Sequence, residues 1–263
     1  MDLGLRGKIA LVAAASKGLG RAIAEELAAE GAAVVICARG QQSLDATASS
    51  IREATGADVL AVAGDISKPG DVERITEAAL DRFGRVDVLV TNAGGPPSGK
   101  FESLTPGMWQ QAVDLTLMSV INLTTAVLPG MKERRWGRVI NVTSITVKQP
   151  VDGLMLSNSL RAAVTGFAKT LSNEVAPFGI TVNNILPGYT RTERVEQLSD
   201  ATAQREGISR DAAIARWEAE IPMGRLGEPR EFAALAAFLA SERASYITGT
   251  SIAVDGGWIK GLL

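Results

Sequence analysis

Short apolar runs alternate with longer stretches of helical period along the whole chain, and this alternation limits the fold more than any other feature. Residues 8–14 (KIALVAA), 33–38 (AVVICA), 58–63 (DVLAVA), 86–91 (VDVLVT), 137–143 (GRVINVT), 179–186 (GITVNNIL) and 250–254 (TSIAV) read as seven strands. They are nearly continuous in apolar character, the pattern of strands buried on both faces of a parallel sheet. Helical patterns fill 19–30, 41–55, 69–83, 106–133, 158–176 and 228–241, with Lys68-Pro69 opening the third and Gly31, Gly56, Gly84 and Gly179 at helix ends. The order predicts α/β architecture: a single doubly wound domain over residues 1–263, a seven-stranded mostly parallel sheet with helices on both faces.

Composition excludes several classes of function. With 27 basic and 29 acidic residues the net charge is −2, which offers no general attraction to nucleic acid or an anionic membrane. No apolar run reaches the roughly 18 residues of a membrane span, and the N-terminal MDLGLRGKIALV lacks the charged and apolar regions of a signal peptide. A cytoplasmic protein is expected. The only cysteine, Cys37, lies in an apolar strand and reads as a small buried hydrophobe. The absence of histidine removes Ser-His-Asp and Cys-His catalysis and the His-containing zinc sites, and no metal site is expected.

Between the first strand and its helix runs Ala14-Ala15-Ser16-Lys17-Gly18-Leu19-Gly20. A glycine-rich turn there brings backbone N–H groups and the helix dipole against a pyrophosphate. Thr91-Asn92-Ala93-Gly94 follows the fourth strand, Asp65-Ile66 the third, and Pro187-Gly188-Tyr189-Thr190-Arg191-Thr192 the sixth. In this order and spacing, and with the closing ITGTSIAVDGGW, these segments resemble the short-chain dehydrogenase/reductase family, whose fold is of the Rossmann type. Ala14 stands at the family's first glycine, tolerable if its φ stays negative. The resemblance implies a nicotinamide cofactor held by Ala14, Ser16, Lys17, Gly18, Leu19, Gly20, Asp65, Ile66, Asn92, Ala93, Gly94, Pro187, Gly188, Thr190 and Thr192, with Asp65 facing the adenine. At the end of the second strand, where NAD-preferring members carry an acid, the chain has Ala38 and Arg39. Arg39 with Lys17 suits a 2′-phosphate, so NADP(H) is the expected cofactor.

The catalytic half of the resemblance departs from the family. There, a serine is followed thirteen residues on by tyrosine and four later by lysine, with an asparagine on the preceding helix. Here Ser144 keeps the serine position, while Ser157, Arg161 and Thr116 stand at the other three. A serine hydroxyl is a far weaker acid than a tyrosine, whose unperturbed pKa is about 10. Arg161 can bond the ribose and keep positive charge but does not join a proton relay. Two readings stay open. One is an NADP(H)-dependent reductase of a 3-oxoacyl thioester or small ketone with an atypical proton donor, for which Tyr189, Lys148 or a water held by Ser144, Ser157 and Arg161 are candidates. The other is a catalytically impaired NADP(H)-binding protein with a sensing or assembly role.

Residues 190–226 break the strand–helix pattern with a polar, helix-prone insertion after a strand's carboxyl end, where open α/β sheets bind ligands. It reads as a helical substrate lid. Its Arg191, Arg194, Arg205, Arg210 and Arg216 alternate with Glu193, Glu196, Glu206, Glu218 and Glu220, which reads as mixed solvated helices rather than a site for an acyl carrier. Family members usually form tetramers through the helices at 106–133 and 158–176, which are rich in Ala, Leu and Val here. A homotetramer is expected, with a small-molecule carbonyl or acyl-thioester substrate.

Overall fold

The computed structural model describes residues 2–262. The strands are β1 (Ile9–Ala13), β2 (Ala33–Ala38), β3 (Val59–Ala63), β4 (Val88–Thr91), β5 (Gly137–Val142), β6 (Ile180–Pro187) and β7 (Ser251–Val254). They form one sheet in the order β3-β2-β1-β4-β5-β6-β7. Every pair is parallel, so the expected mostly parallel sheet is wholly parallel.

Parallel neighbours require a crossover, and helices supply it on both faces. On one face α1 (Gly18–Ala29), α2 (Gln41–Thr55) and α9 (Pro229–Ala240) bury Ile23, Leu27, Leu44, Ile51 and Phe232 against Ala10, Val12, Val34 and Ile36. On the other, α3 (Pro69–Phe83), α5 (Ser119–Arg134) and α6 (Met155–Val175) bury Ile75, Leu123, Val127, Ala168 and Val175 against Leu11, Val35 and Val139. Successive strand residues therefore serve opposite cores, which is why the strands are mostly apolar on both faces. Cys37 is wholly buried in the second core, and burial pushes its thiol up to about 12.

Two sequence expectations need correction. The helix over 106–133 is built as α4 (Pro106–Val113), a π-helical turn (Asp114–Met118) and α5, continuous from Pro106 to Arg134. An 18-residue window in it has a mean hydropathy of 1.5, enough in length and composition to cross a membrane. Interspersed Thr, Ser and Asn conceal this in a search for unbroken apolar runs. Here Leu123, Val127 and Met131 of the helix are core residues packed on the sheet. The second correction concerns α6, which begins at Met155, three residues before its expected start.

The 190–226 insertion folds as α7 (Glu193–Glu206) and α8 (Arg210–Glu220). An apolar cluster of Val195, Ile221, Leu226, Tyr189 and Trp217 seats it on Ile145, Leu186 and Trp258. The helices thus lie over the carboxyl ends of β5 and β6.

Candidate active site

The strand order reverses between β1 and β4, and the carboxyl ends of these strands open a crevice. Asn92 Nδ2 spans it, donating to Ala13 O (3.3 Å) and Ala14 O (3.4 Å). Gly20 lies directly beneath. A Cβ there would overlap Ala14 O and approach Asn92 Nδ2 to 2.8 Å, so the turn and the β4 loop meet only because position 20 has no side chain. Gly18 has φ +58°, as its place at the start of α1 requires. Ala14 has φ +49°, which corrects the expectation of a negative φ. The conformation costs an alanine about 1 kcal/mol or more. It is held by a backbone bond to β2: the N–H of the next residue, Ala15, donates to Cys37 O (3.0 Å).

The other residues expected at a cofactor site gather at the same edge. Arg39 is exposed at the end of β2 and, among the described residues, has no carboxylate within 4 Å. With Ala38 before it and no acid on the strand, this end suits a phosphate rather than a ribose hydroxyl. Lys17 Nζ pairs with Glu193 at the start of α7, tying the glycine turn to that helix. Ser16 O accepts a bond from Thr47 Oγ1 (2.9 Å), and Leu19 packs on the core. Asp65 accepts bonds from Ser67 N (3.0 Å) and Ser67 Oγ (2.7 Å), while Ile66 is buried. Ala93 packs on the second core beside Asn92, ahead of Gly94. After β6, Gly188 N donates to Val254 O (3.0 Å), and a Cβ on Gly188 would reach Asp255 Cα at 2.6 Å. Pro187 ends β6, Thr190 is buried, and Thr192 Oγ1 donates to Thr190 O (3.1 Å) just before α7.

The catalytic candidates split into two groups. Ser144 follows β5, its Oγ accepting from Thr146 N (3.1 Å). Ser157 and Arg161 stand one turn apart on α6, both buried. Arg161 Nη1 donates to Val142 O (2.9 Å) and Thr143 O (2.8 Å), which anchors the guanidinium on the backbone immediately before Ser144. Burial first, and then the nearby Arg194 guanidinium, push its pKa down to about 10. Arg161 lines a small polar cavity of about 10 Å³ with Thr91, Asn92, Thr116 and Thr143. Thr116 sits in the π-helical turn, and its buried Oγ1 has no partner within the protein.

Tyr189 belongs elsewhere. Its ring stacks on Trp217 (centroids 4.7 Å apart) and meets Trp258 edge-on at 5.9 Å, within the lid's apolar cluster. Burial, with a contribution from Glu220, raises its phenol to about 12, so it is a poorer acid than a free tyrosine. Lys148 ends the short helical turn Ile145–Val147 after Ser144 and makes no ion pair among the described residues.

The lid arginines answer unevenly to the expectation of solvated helices. Arg191, Arg205, Arg210 and Arg216 all pair with carboxylates. Arg194 does not. It is half-buried and folds back against the β4 loop, its Nη2 donating to Pro96 O (3.0 Å). No sequence signal marks this contact, which joins residues 98 apart.

A family model described as Enoyl-(Acyl carrier protein) reductase matches residues 13–259. The chain is 38% identical over 255 residues to the 3-oxoacyl-[acyl-carrier-protein] reductase of Vibrio cholerae, covering 97% of this chain and 98% of that one. It is 37% identical over 254 residues to dehydrogenase/reductase SDR family member 4 of Oryctolagus cuniculus, covering 96% and 94%. Among solved structures, L-sorbose reductase from Gluconobacter frateurii complexed with NADPH and L-sorbose superposes with a TM-score of 0.95 at 35% identity, with both chains fully covered. The chain belongs to the short-chain dehydrogenase/reductase family.

Proposed function

We propose that the protein is an NADP(H)-dependent ketoreductase that reduces a ketone carbonyl to an alcohol and draws its proton from water. The observation that carries the cofactor reading is the crevice itself: a glycine turn closed on Asn92 through Gly20, beside a β2 end bearing Arg39 and no acid. NADPH, when bound, supplies the hydride. Arg39 would hold the 2′-phosphate, Gly18, Leu19 and the start of α1 the pyrophosphate, and Thr190 and Thr192 the nicotinamide end. The named activities of the relatives, 3-oxoacyl-carrier-protein reduction and sugar-ketone reduction among them, support the reaction class.

Hydride arrival at a carbonyl carbon leaves an alkoxide oxygen that needs a donor. Ser144 Oγ accepts from Thr146 N and keeps its own O–H free to donate a hydrogen bond to that oxygen. At the positions where the family has tyrosine and lysine, Ser157 is too weak an acid, and Arg161 Nη1 is committed to Val142 O and Thr143 O, so neither is the acid. A polar cavity with an unpartnered Thr116 hydroxyl and the Arg161 guanidinium is chemically suited to a water molecule and is about large enough for one. On this reading a water oriented by Arg161 and Thr116 gives a proton to the alkoxide, the hydroxide left takes one back from solvent, and Tyr189 shapes the apolar wall of the substrate site.

The competing reading, an NADP(H)-binding protein with little turnover, rests on Ser157 and Arg161. NADPH oxidation against a panel of ketones and 3-oxoacyl thioesters separates the two. The reductase reading expects turnover that falls about 100-fold in Ser144→Ala, with NADPH affinity falling about tenfold in Arg39→Ala and NADH affinity unmoved. Tight NADPH binding with no turnover by the native chain, restored by Ser157→Tyr with Arg161→Lys, would instead establish the binding protein.

Small outward residues support a tetramer. Ala162, Ala163 and Gly166 on α6 and Ala126 on α5 are exposed, allowing close approach of another copy. Light scattering is expected to return four chains, and a monomer at micromolar concentration overturns this.

A further inference from the structure

A row of polar side chains crosses the sheet where apolar ones would pack as well. Thr91 on β4, Asn141 on β5, Asn184 on β6 and Ser251 on β7 are partners in successive parallel registers. Their side chains bond in one sense. Thr91 Oγ1 donates to Asn141 Oδ1 (2.7 Å), Asn141 Nδ2 to Asn184 Oδ1 (3.0 Å), and Asn184 Nδ2 to Ser251 Oγ (3.1 Å). The first three residues are buried and the fourth, on the edge strand, is half-buried. Exchanging such a network for apolar groups of the same shape is nearly neutral in stability, so packing alone does not call for it.

The β4 end of the row reaches the small polar cavity. Thr91 lies two residues after Leu89 and so on the same face of the strand, the face that α5 and α6 cover. There it lines the cavity together with Thr116 of the π-helical turn and Arg161 of α6. These three groups offer a water different things. Arg161 can only donate, and with Nη1 taken by Val142 O and Thr143 O its other N–H groups have no protein acceptor among the described residues. Thr116 Oγ1 is buried without a protein partner and is free to donate as well. The hydroxyl hydrogen of Thr91 is committed to Asn141, so toward the cavity Thr91 can only accept. A water there accepts from Arg161 and Thr116 and gives one O–H to Thr91. Its second O–H is left over.

We propose that Thr91, fixed as an acceptor by Asn141 and Asn184, is a positioning residue for the water that protonates the alkoxide. This rests on the reductase reading above and adds the group that aims the water. The second O–H bond breaks as the alkoxide takes its proton, and the hydroxide that remains recovers a proton from solvent. Without Asn141 the Thr91 hydroxyl would be free to turn and donate to the water. The water would then have two hydrogens to place and no fixed acceptor for the first, so its aim at the alkoxide would be lost.

The test follows NADPH oxidation by the full-length protein with whichever ketone the panel above shows to be reduced fastest. Thr91→Val keeps the shape and removes the acceptor. It should lower kcat about tenfold, the value of one lost hydrogen bond, with KM and NADPH affinity held within about twofold. Thr91→Ser, which keeps the hydroxyl, should restore most of kcat, and Asn141→Val should lower kcat with the Thr91 hydroxyl still present. The solvent deuterium isotope effect on kcat should be larger in Thr91→Val than in the native protein, because proton delivery becomes slower relative to hydride transfer. A native kcat in Thr91→Val overturns the proposal. So does a lowered kcat with an unmoved isotope effect, or one that Thr91→Ser does not restore, since either assigns Thr91 to the sheet alone. Should the native protein reduce no carbonyl compound, the reductase reading fails. Whether Thr91 orients a water is then decided by crystal structures with NADP⁺ bound. A water within about 3.2 Å of both Thr91 Oγ1 and the Arg161 guanidinium, displaced or absent in Thr91→Val, upholds that role, and no such water in the native protein overturns it.

Discussion

Gly20→Ala is expected to weaken NADPH binding more than 100-fold and to lower stability by about 2 kcal/mol. Replacing a helical glycine by alanine ordinarily stabilises by about 0.5–1 kcal/mol, because the unfolded chain loses freedom. The sign reverses here because the new methyl would overlap Ala14 O and press on Asn92 Nδ2. Ala14 has little room to yield. Its φ is already +49°, and the next residue is bonded to Cys37 O. Relief must therefore come from parting the glycine turn and the β4 loop, the two walls of the cofactor crevice. Gly70→Ala is the control, since a Cβ at that α3 position meets nothing within 4 Å. Equilibrium NADPH titration and urea unfolding of both variants check the prediction, and a Gly20→Ala protein binding NADPH within threefold of native contradicts it.

Arg138→Ala should cost about 3 kcal/mol of stability, a fall in Tm of about 6–10 °C, with NADPH affinity unchanged in the folded protein. Arg138 is 2% exposed at the amino end of β5, the edge of the sheet opposite the crevice. Its Nη1 donates to Gly137 O (2.9 Å) and Gly179 O (3.2 Å), its Nε donates to Ser241 O (3.3 Å), and its guanidinium lies over Trp136 at 4.4 Å. The fork thus sews β5 to the turn before β6 and to the end of α9. Its ion pair with Glu242 at 3.6 Å contributes less, because that carboxylate is half-exposed and screened. Truncation leaves carbonyls without donors and a cavity where the stem packed. Thermal unfolding reads the loss. A shift below 2 °C would mean that water takes over the abandoned carbonyls.

The sheet was legible because its strands are nearly continuous in apolar character, a pattern that double-sided burial demands. The cofactor turn was legible for a related reason, since few uses exist for Gly18 and Gly20 at the start of a helix after a buried strand. What escaped the sequence depends on side-chain direction across long separations. Arg194 and Arg191 look alike in a polar lid, yet one pairs with Glu218 and Glu228 while the other crosses to Pro96. Lys17 in a glycine turn promises a phosphate ligand, but 176 residues on Glu193 is placed to take it. Alanine at position 14 carries no mark of its φ, whereas glycine would have. The bonds of Arg161 to Val142 O and Thr143 O likewise follow from the packing of α6 on β5, which spacing alone does not reveal.

The π-helical turn at Asp114–Met118 works as an insertion that the helix has absorbed. A π turn bonds i to i+5 and so holds one residue more than an α-helical turn. The apolar stripes of α4 and α5 are therefore out of phase by one residue. One suits Leu156 and Leu160 on α6, the other the sheet. A chain with one residue deleted here would keep a regular helix, but α5 would reach the sheet turned by about 100°. Either Leu123 and Val127 would leave the core or Trp109 and Val113 would lose their seat.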